Sequence, residues 1–205
     1  MRKAKAYILN LENKFCSVKI LVDTTYDVQS SDNRYYDLEW NPENYGRSDF
    51  YKVFSIHIDL FDNEINIALI GNYHCYDIDC AVLDGKVLTI MQYHTISQIC
   101  VDDGTLMLHK AFECFGCTFG LYRVVNGYIV YGEIEIIMLD LDFNKVWEFT
   151  GRDIFVSQTR ENAFVLGENS IELYDWEDNY YELDFNGNLI CGNSENRTRF
   201  IKLPE

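Results

Sequence analysis

The tetrapeptide Leu141-Asp142-Phe143-Asn144 returns as Leu183-Asp184-Phe185-Asn186, an offset of 42 residues. Both copies lie between apolar, strand-like runs. A recurrence at that spacing points to stacked β-sheet units, because a four-stranded propeller blade consumes roughly 40–45 residues. Weaker beats extend the pattern backwards. Leu60-Phe61-Asp62-Asn63, Val101-Asp102-Asp103-Gly104, and the two copies at Leu141 and Leu183 start at intervals of 41, 40 and 42 residues. Leu9-Asn10-Leu11-Glu12-Asn13 is an outlying fifth. A plainer reading competes: every hairpin needs turn residues, so an ordinary meander with evenly spaced turns gives a similar pattern.

Alternation rather than helical spacing dominates from residue 50 onward. It puts Val53, Ser55, His57 and Asp59 on one strand face and Phe54, Ile56, Ile58 and Leu60 on the other. Glu64 to Ile70 continues after a turn at Asp62-Asn63. Asp84-Gly85, Asn126-Gly127 and Asn186-Gly187 each separate two apolar runs, as tight hairpins require. The stretch 23–48 is different. Tyr, Asp, Asn and Ser crowd it without alternation, and Pro42 interrupts it, so it reads as an irregular excursion from the sheet.

Aromatics make up 15% of the chain, including 15 Tyr and 13 Phe, which favours pleated, half-buried surfaces over disorder. The formal net charge is -16. A surface this negative repels phosphate backbones and anionic membranes, so neither nucleic acid nor membrane is an expected partner. It would speed encounter with a basic one. The apolar run after the basic start at Met1 is too short for a signal peptide, and Asn10 and Glu12 interrupt it. Seven cysteines, an odd number scattered among strand-like segments, read as reduced thiols. A cytoplasmic location is the expectation.

The stretch from Ile136 to Phe149 resembles a blade of the quinoprotein-like and WD40-like β-propellers. In that pattern a strand ends in Leu-Asp, a short turn carries Asn or Gly, and the next strand presents a Trp. The resemblance implies that Trp147 packs between neighbouring blades and that Asp140 or Asp142 is the turn acid. The copy near Leu183 has Leu189 or Ile190 where the Trp would stand. The residues with which quinoproteins hold their cofactor have no counterpart here, and no cofactor is implied. The longer piece from Tyr131 to Val156 is similar to a segment of bacterial proteins without a described role.

Several constellations invite chemistry. His74, Cys75, Cys80, His109, Cys114 and Cys117 include ligand types that zinc prefers, but the spacing favours buried free thiols over a metal site. Asp140, Asp142 and Asn144 mimic the start of a calcium loop, yet Lys145 stands where such a loop needs Gly and Gly151 where it needs Glu. Glu133 and Glu135, read as one strand face, lie about 7 Å apart, near a glycosidase separation, though solvated acids explain them more simply. Arg152 and Asp153, wedged between Phe149 and Ile154, read as a buried, mutually satisfied pair bridging sheet units, with an anchor on a binding surface as the alternative. Two acidic–aromatic segments are the candidates for a binding surface: Tyr35, Tyr36 and Trp40 in the first, and Tyr174, Trp176, Glu177, Asp178 and Tyr180 in the second.

The sequence therefore implies one all-β domain over residues 1–205, with antiparallel meanders in a propeller-like, partial or irregular, arrangement and an irregular excursion over 23–48. Trp147, Arg152 and Asp153 hold its units together. The expected role is non-catalytic binding of a basic protein, of the kind immunity proteins perform on cationic toxins. A carbohydrate- or metabolite-binding propeller is the alternative, and a hydrolase ranks last for want of a motif.

Overall fold

A computed structural model describes residues 8–73, 79–192 and 198–201. Among them every regular element is a strand. The chain divides into two compact units, Met1–Ala111 and Phe112–Glu205. The sequence marks this boundary with no Pro- or Gly-rich linker.

In the first unit, β1 (Ile8–Glu12), β2 (Ser17–Val22), β3 (Leu38–Trp40), β4 (Tyr51–Asp59) and β5 (Glu64–Asn72) form one sheet in the order β1-β2-β4-β5-β3. All its pairings are antiparallel except β3 with β5. The second sheet is the meander β6 (Ala81–Asp84), β7 (Val87–Gln92), β8 (Thr95–Cys100) and β9 (Leu106–Ala111). The alternation read in β4 holds: Phe54, Ile56 and Ile58 enter the core between these two sheets, beside Ile67, Leu88 and Ile99.

The other face of β4 is buried too, and the excursion is the reason. Tyr26 and Tyr36 pack edge to face, with ring centroids 5.9 Å apart, over Val53, Ala68 and Ile70. The stretch read as irregular thus covers the outside of the first sheet and contributes β3 to its edge. Polar groups at this cover are paired. Tyr26 Oη donates to Glu39 at 2.8 Å, Tyr36 Oη to Asp23 at 2.7 Å, and Arg34 to the buried Ser55 hydroxyl. Burial pushes the Tyr36 phenol up to about 12, so it stays a donor.

The second unit repeats the plan. One sheet consists of β10 (Thr118–Val124), β11 (Gly127–Gly132), β12 (Glu135–Leu139) and β13 (Lys145–Thr150). The other is the meander β14 (Phe164–Leu166), β15 (Ser170–Tyr174), β16 (Tyr180–Asp184) and β17 (Leu189–Cys191). A last strand, β18 (Thr198–Phe200), returns to pair with β13. Trp147, Phe149, Phe155, Ile171, Leu173 and Tyr181 lie in the core these sheets share.

The recurrent motif marks an equivalent place in all four sheets, the turn between the third and fourth strands of each antiparallel run. In every one a carboxylate accepts from the amide two residues on: Asp59 from Phe61 at 2.8 Å, Asp103 from Thr105 at 2.9 Å, Asp140 from Asp142 at 2.9 Å, and Asp184 from Asn186 at 2.9 Å. Each turn also carries one left-handed residue, Phe61, Gly104, Phe143 and Gly187 respectively. Letter and structure nevertheless differ in register. The literal repeat aligns Asp142 with Asp184, whereas the fold aligns Asp140 with Asp184. Asn144 and Asn188 donate their side-chain amides back to these acids at 3.0 and 2.8 Å. In the second unit's two sheets the structural unit is a five-residue Asp-x-x-x-Asn turn, left-handed at its fourth residue. Asp175 to Asn179 is a third example, with φ 61° at Asp178.

Candidate functional site

The first acidic–aromatic segment does not form one surface. Tyr35 is 81% exposed, whereas the adjacent Tyr36 turns inward beneath the excursion. Trp40 is half-buried at the end of β3, and its Nε1–H donates to the Gly104 carbonyl at 2.9 Å. Only Tyr35 of the three stands out into solvent.

The second segment is built differently. Ile171, Leu173, Tyr181 and Leu183 face the core, so alternation turns Glu172, Tyr174, Tyr180 and Glu182 to the outer face of the β14–β17 sheet. Tyr174 and Tyr180 pair directly across the strands, with ring centroids 5.2 Å apart, and Glu172 and Glu182 form the next pair on that face. Between the two strands the chain turns on Asp175, whose carboxylate is fully buried. It accepts from the Glu177 amide at 3.1 Å, the Asn179 amide at 2.9 Å, Asn179 Nδ2 at 3.0 Å and Tyr181 Oη at 2.8 Å. Burial alone would raise its pKa, but the hydrogen bonds from Asn179 and Tyr181 outweigh it and hold the carboxyl below the usual range.

That anchored acid presents Trp176, 43% exposed, with the exposed Glu177 and Asp178. The neighbouring segment is tied to the same turn. Thr159 Oγ1 donates to Asp178 at 2.8 Å, and Ser157 Oγ accepts from the amides of Thr159 and Arg160 at 3.2 and 3.0 Å. These bonds lay Arg160 across the aromatic face, its guanidinium carbon 3.7 Å from the Tyr174 ring centroid. Glu172, Glu182 and Arg160 escaped the sequence reading. Alternation in the two runs flanking the turn carried the signal for both glutamates, whereas nothing local to Arg160 announces its stacking.

Trp147 is 1% exposed and lies between the two sheets of its unit, donating Nε1–H to the Phe185 carbonyl at 3.3 Å. Its ring rests against Gly187, where a Cβ would stand 2.9 Å from it. Arg152, read as buried, is exposed; its amide donates to Tyr181 Oη at 3.0 Å. Asp153 is half-buried and accepts from the Ile154 amide at 2.8 Å. The run 151–156 is thus held through its backbone, with Phe155 supplying the buried side chain.

Glu133 and Glu135 do not share a strand face, since Glu133 precedes β12. Glu135 is 1% exposed, accepts from the Phe115 amide at 2.8 Å and lies 3.7 Å from Lys145 Nζ. Glu133 accepts from the Cys117 amide at 3.4 Å. Both carboxylates hold the 114–117 loop, and burial followed by Glu135 raises the Cys114 thiol's pKa well above its ordinary value. Asp140 spends its carboxylate on its own turn. His109 bridges Ser97 Oγ at 2.9 Å and Glu43 at 2.7 Å. His74 and Cys75 lie outside the described residues. Among the described residues no three His, Cys, Asp or Glu side chains gather as a metal site would require. No protein-family model and no curated protein matches the chain.

Proposed function

We propose that the chain is a non-catalytic, cytoplasmic binding module that captures a basic protein partner, as an immunity-type protein sequesters a cationic toxin. The observation that carries this reading is the 174–180 turn. A buried, four-fold hydrogen-bonded Asp175 holds an exposed Trp176-Glu177-Asp178 outward, on a chain of net charge -16. Aromatic anchors with acidic surroundings suit a cationic surface: charge complementarity sets partner choice and accelerates capture. Among the described residues no helix is long and apolar enough to cross a membrane.

The carbohydrate alternative needs tryptophan faces open to a sugar. Trp147 is buried and Trp40 packs against the first unit's core, which leaves Trp176. The hydrolase reading drew on Glu133 and Glu135, and their role in holding a loop removes that support. We also infer that the four meanders correspond to propeller blades. In support, each unit has a tryptophan from one sheet donating to a backbone carbonyl in the recurrent turn of the other, Trp40 to Gly104 and Trp147 to Phe185.

The test of function is to mix the purified protein with the purified products of neighbouring genes and follow complexes by sedimentation velocity. A basic partner should shift the boundary at low salt and less so at high salt. If no cationic neighbour shifts it at low salt, the proposal fails.

A further inference from the structure

The outer face of the β14–β17 sheet carries an energetic oddity. Glu172 and Glu182 are Cα partners on adjacent strands, so their side chains project from the same face about 5 Å apart at Cβ. Like charges placed so oppose folding. Among the described residues neither carboxylate is ion-paired with a Lys or Arg. Along the strands the next row on one side is aromatic and on the other is Ser170 with Asp184, whose carboxylate accepts within its own turn. Tyr174 and Tyr180 form the aromatic row, and Val165, 42% exposed, lies opposite Glu172 on β14. Both carboxylates act on the Tyr180 phenol, whose pKa is raised by desolvation first and then by Glu172 and Glu182.

Resting on the basic-partner reading, we propose that this sheet face is where the partner docks, through an arginine borne on an extended segment. Its guanidinium stacks beside Tyr174 and Tyr180 while bridging Glu172 and Glu182. Charge complementarity selects a cation: among the described residues Glu182 accepts only a long 3.5 Å hydrogen bond from Tyr180 Oη, and a positive charge relieves both opposed carboxylates on a strongly acidic chain. The rings select arginine over lysine. A guanidinium is planar, stacks on aromatic faces and offers forked donors to two carboxylates, whereas an ammonium is a compact and strongly hydrated point charge. On this face the fold already stacks one guanidinium, that of Arg160, 3.7 Å over Tyr174. The outer face of this four-stranded sheet can seat an extended segment, and the exposed Trp176 and Asp178 follow directly from the end of β15.

The test is isothermal titration of the full chain with capped hexa-arginine and hexa-lysine at low ionic strength. Three proteins are compared: the wild type, Glu172→Gln/Glu182→Gln, and Asp62→Asn/Glu64→Gln. The last removes the same charge from exposed positions in the first unit. The wild type should bind hexa-arginine more tightly than hexa-lysine. Loss of Glu172 and Glu182 should weaken hexa-arginine at least ~10-fold, as two charge-assisted contacts would, and the control less than about 2-fold. Equal weakening in both variants would overturn the site, showing attraction to diffuse charge while leaving the basic-partner reading standing. Absence of wild-type binding, or no preference for arginine, also overturns it. The sedimentation experiment with whole proteins judges the broader reading separately.

Discussion

Replacing Asp175 tests the anchoring of the candidate surface. The carboxylate is fully buried and receives two backbone N–H donors, the Asn179 amide and the Tyr181 hydroxyl. A hydrogen bond to a charged group contributes about 1.5–3 kcal/mol, and the contributions within one network do not add. Asp175→Ala strips all four and leaves the buried Tyr181 hydroxyl and part-buried amides unmatched, so a loss of about 3–5 kcal/mol is expected. Set against the ~5–15 kcal/mol of a typical domain, that is enough to unfold part of the population. Two milder variants keep the test readable. Asp175→Asn retains the shape but turns an amide toward the donors, for about 2–3 kcal/mol. Tyr181→Phe removes one charged hydrogen bond and the acceptor for Arg152 N–H, for about 2 kcal/mol. Urea unfolding followed by circular dichroism measures each. Coupling of at least about 1 kcal/mol in the double variant is expected, because the two groups touch. The pH dependence has a definite sign. The Asp175 pKa is depressed in the folded chain, so its stabilisation is present above the unfolded value of about 3.9 and is lost as pH falls through the folded value. The gap between wild type and Asp175→Asn should therefore be full at pH 6 and shrink below about pH 4. An Asp175→Asn protein within about 0.5 kcal/mol of wild type at pH 6 would refute the reasoning.

Other perturbations probe the rest of the account. Glu172→Gln should raise stability by about 0.2–1 kcal/mol in urea unfolding by relieving the cross-strand repulsion; a loss would mean the pair is not opposed. Gly187→Ala should cost more than Gly85→Ala in the same assay. Both glycines are left-handed, at φ 83° and 59°, but only Gly187 has the Trp147 ring against it, while nothing lies within 4 Å at Gly85. The shared conformational term is about 1–2 kcal/mol, and the excess at Gly187 reports the contact. Glu135→Gln should speed alkylation of Cys114 at pH 8, since removing that negative charge lowers the thiol's pKa. Trp147→Ala should cost about 3–5 kcal/mol through the cavity it leaves in the second unit.

Much of the fold was legible because a strand's two-residue period is written into its apolar residues. Phe54, Ile56 and Ile58 declared the core face of β4, and the hairpins at Gly85 and Gly127 were displaced by only a residue. What escaped was non-local. The burial of Ser55 depends on Tyr26 and Tyr36 folding back from a segment with no period of its own. The β7–β8 turn passes through Tyr93 at φ 59°, where a glycine signal was absent. The repeat was visible as letters, but hydrogen bonds set its register: Asp140, not Asp142, caps the turn, because the αL residue and the closing Asn must follow it by three and four positions. At the candidate surface, composition pointed to Trp176 and Asp178 and alternation put both glutamates on the outer face, whereas their opposition across the strands was set by the pairing of β15 with β16.

The central claim is that an arginine-bearing partner is read by one sheet face rather than by the chain's overall charge. Amide chemical-shift mapping with capped hexa-arginine tests it most directly. Shifts concentrated at Val165, at Glu172 to Tyr174 and at Tyr180 to Glu182 are the predicted result. Shifts spread evenly over acidic turns of both units, including Asp62 and Asp102, would contradict it.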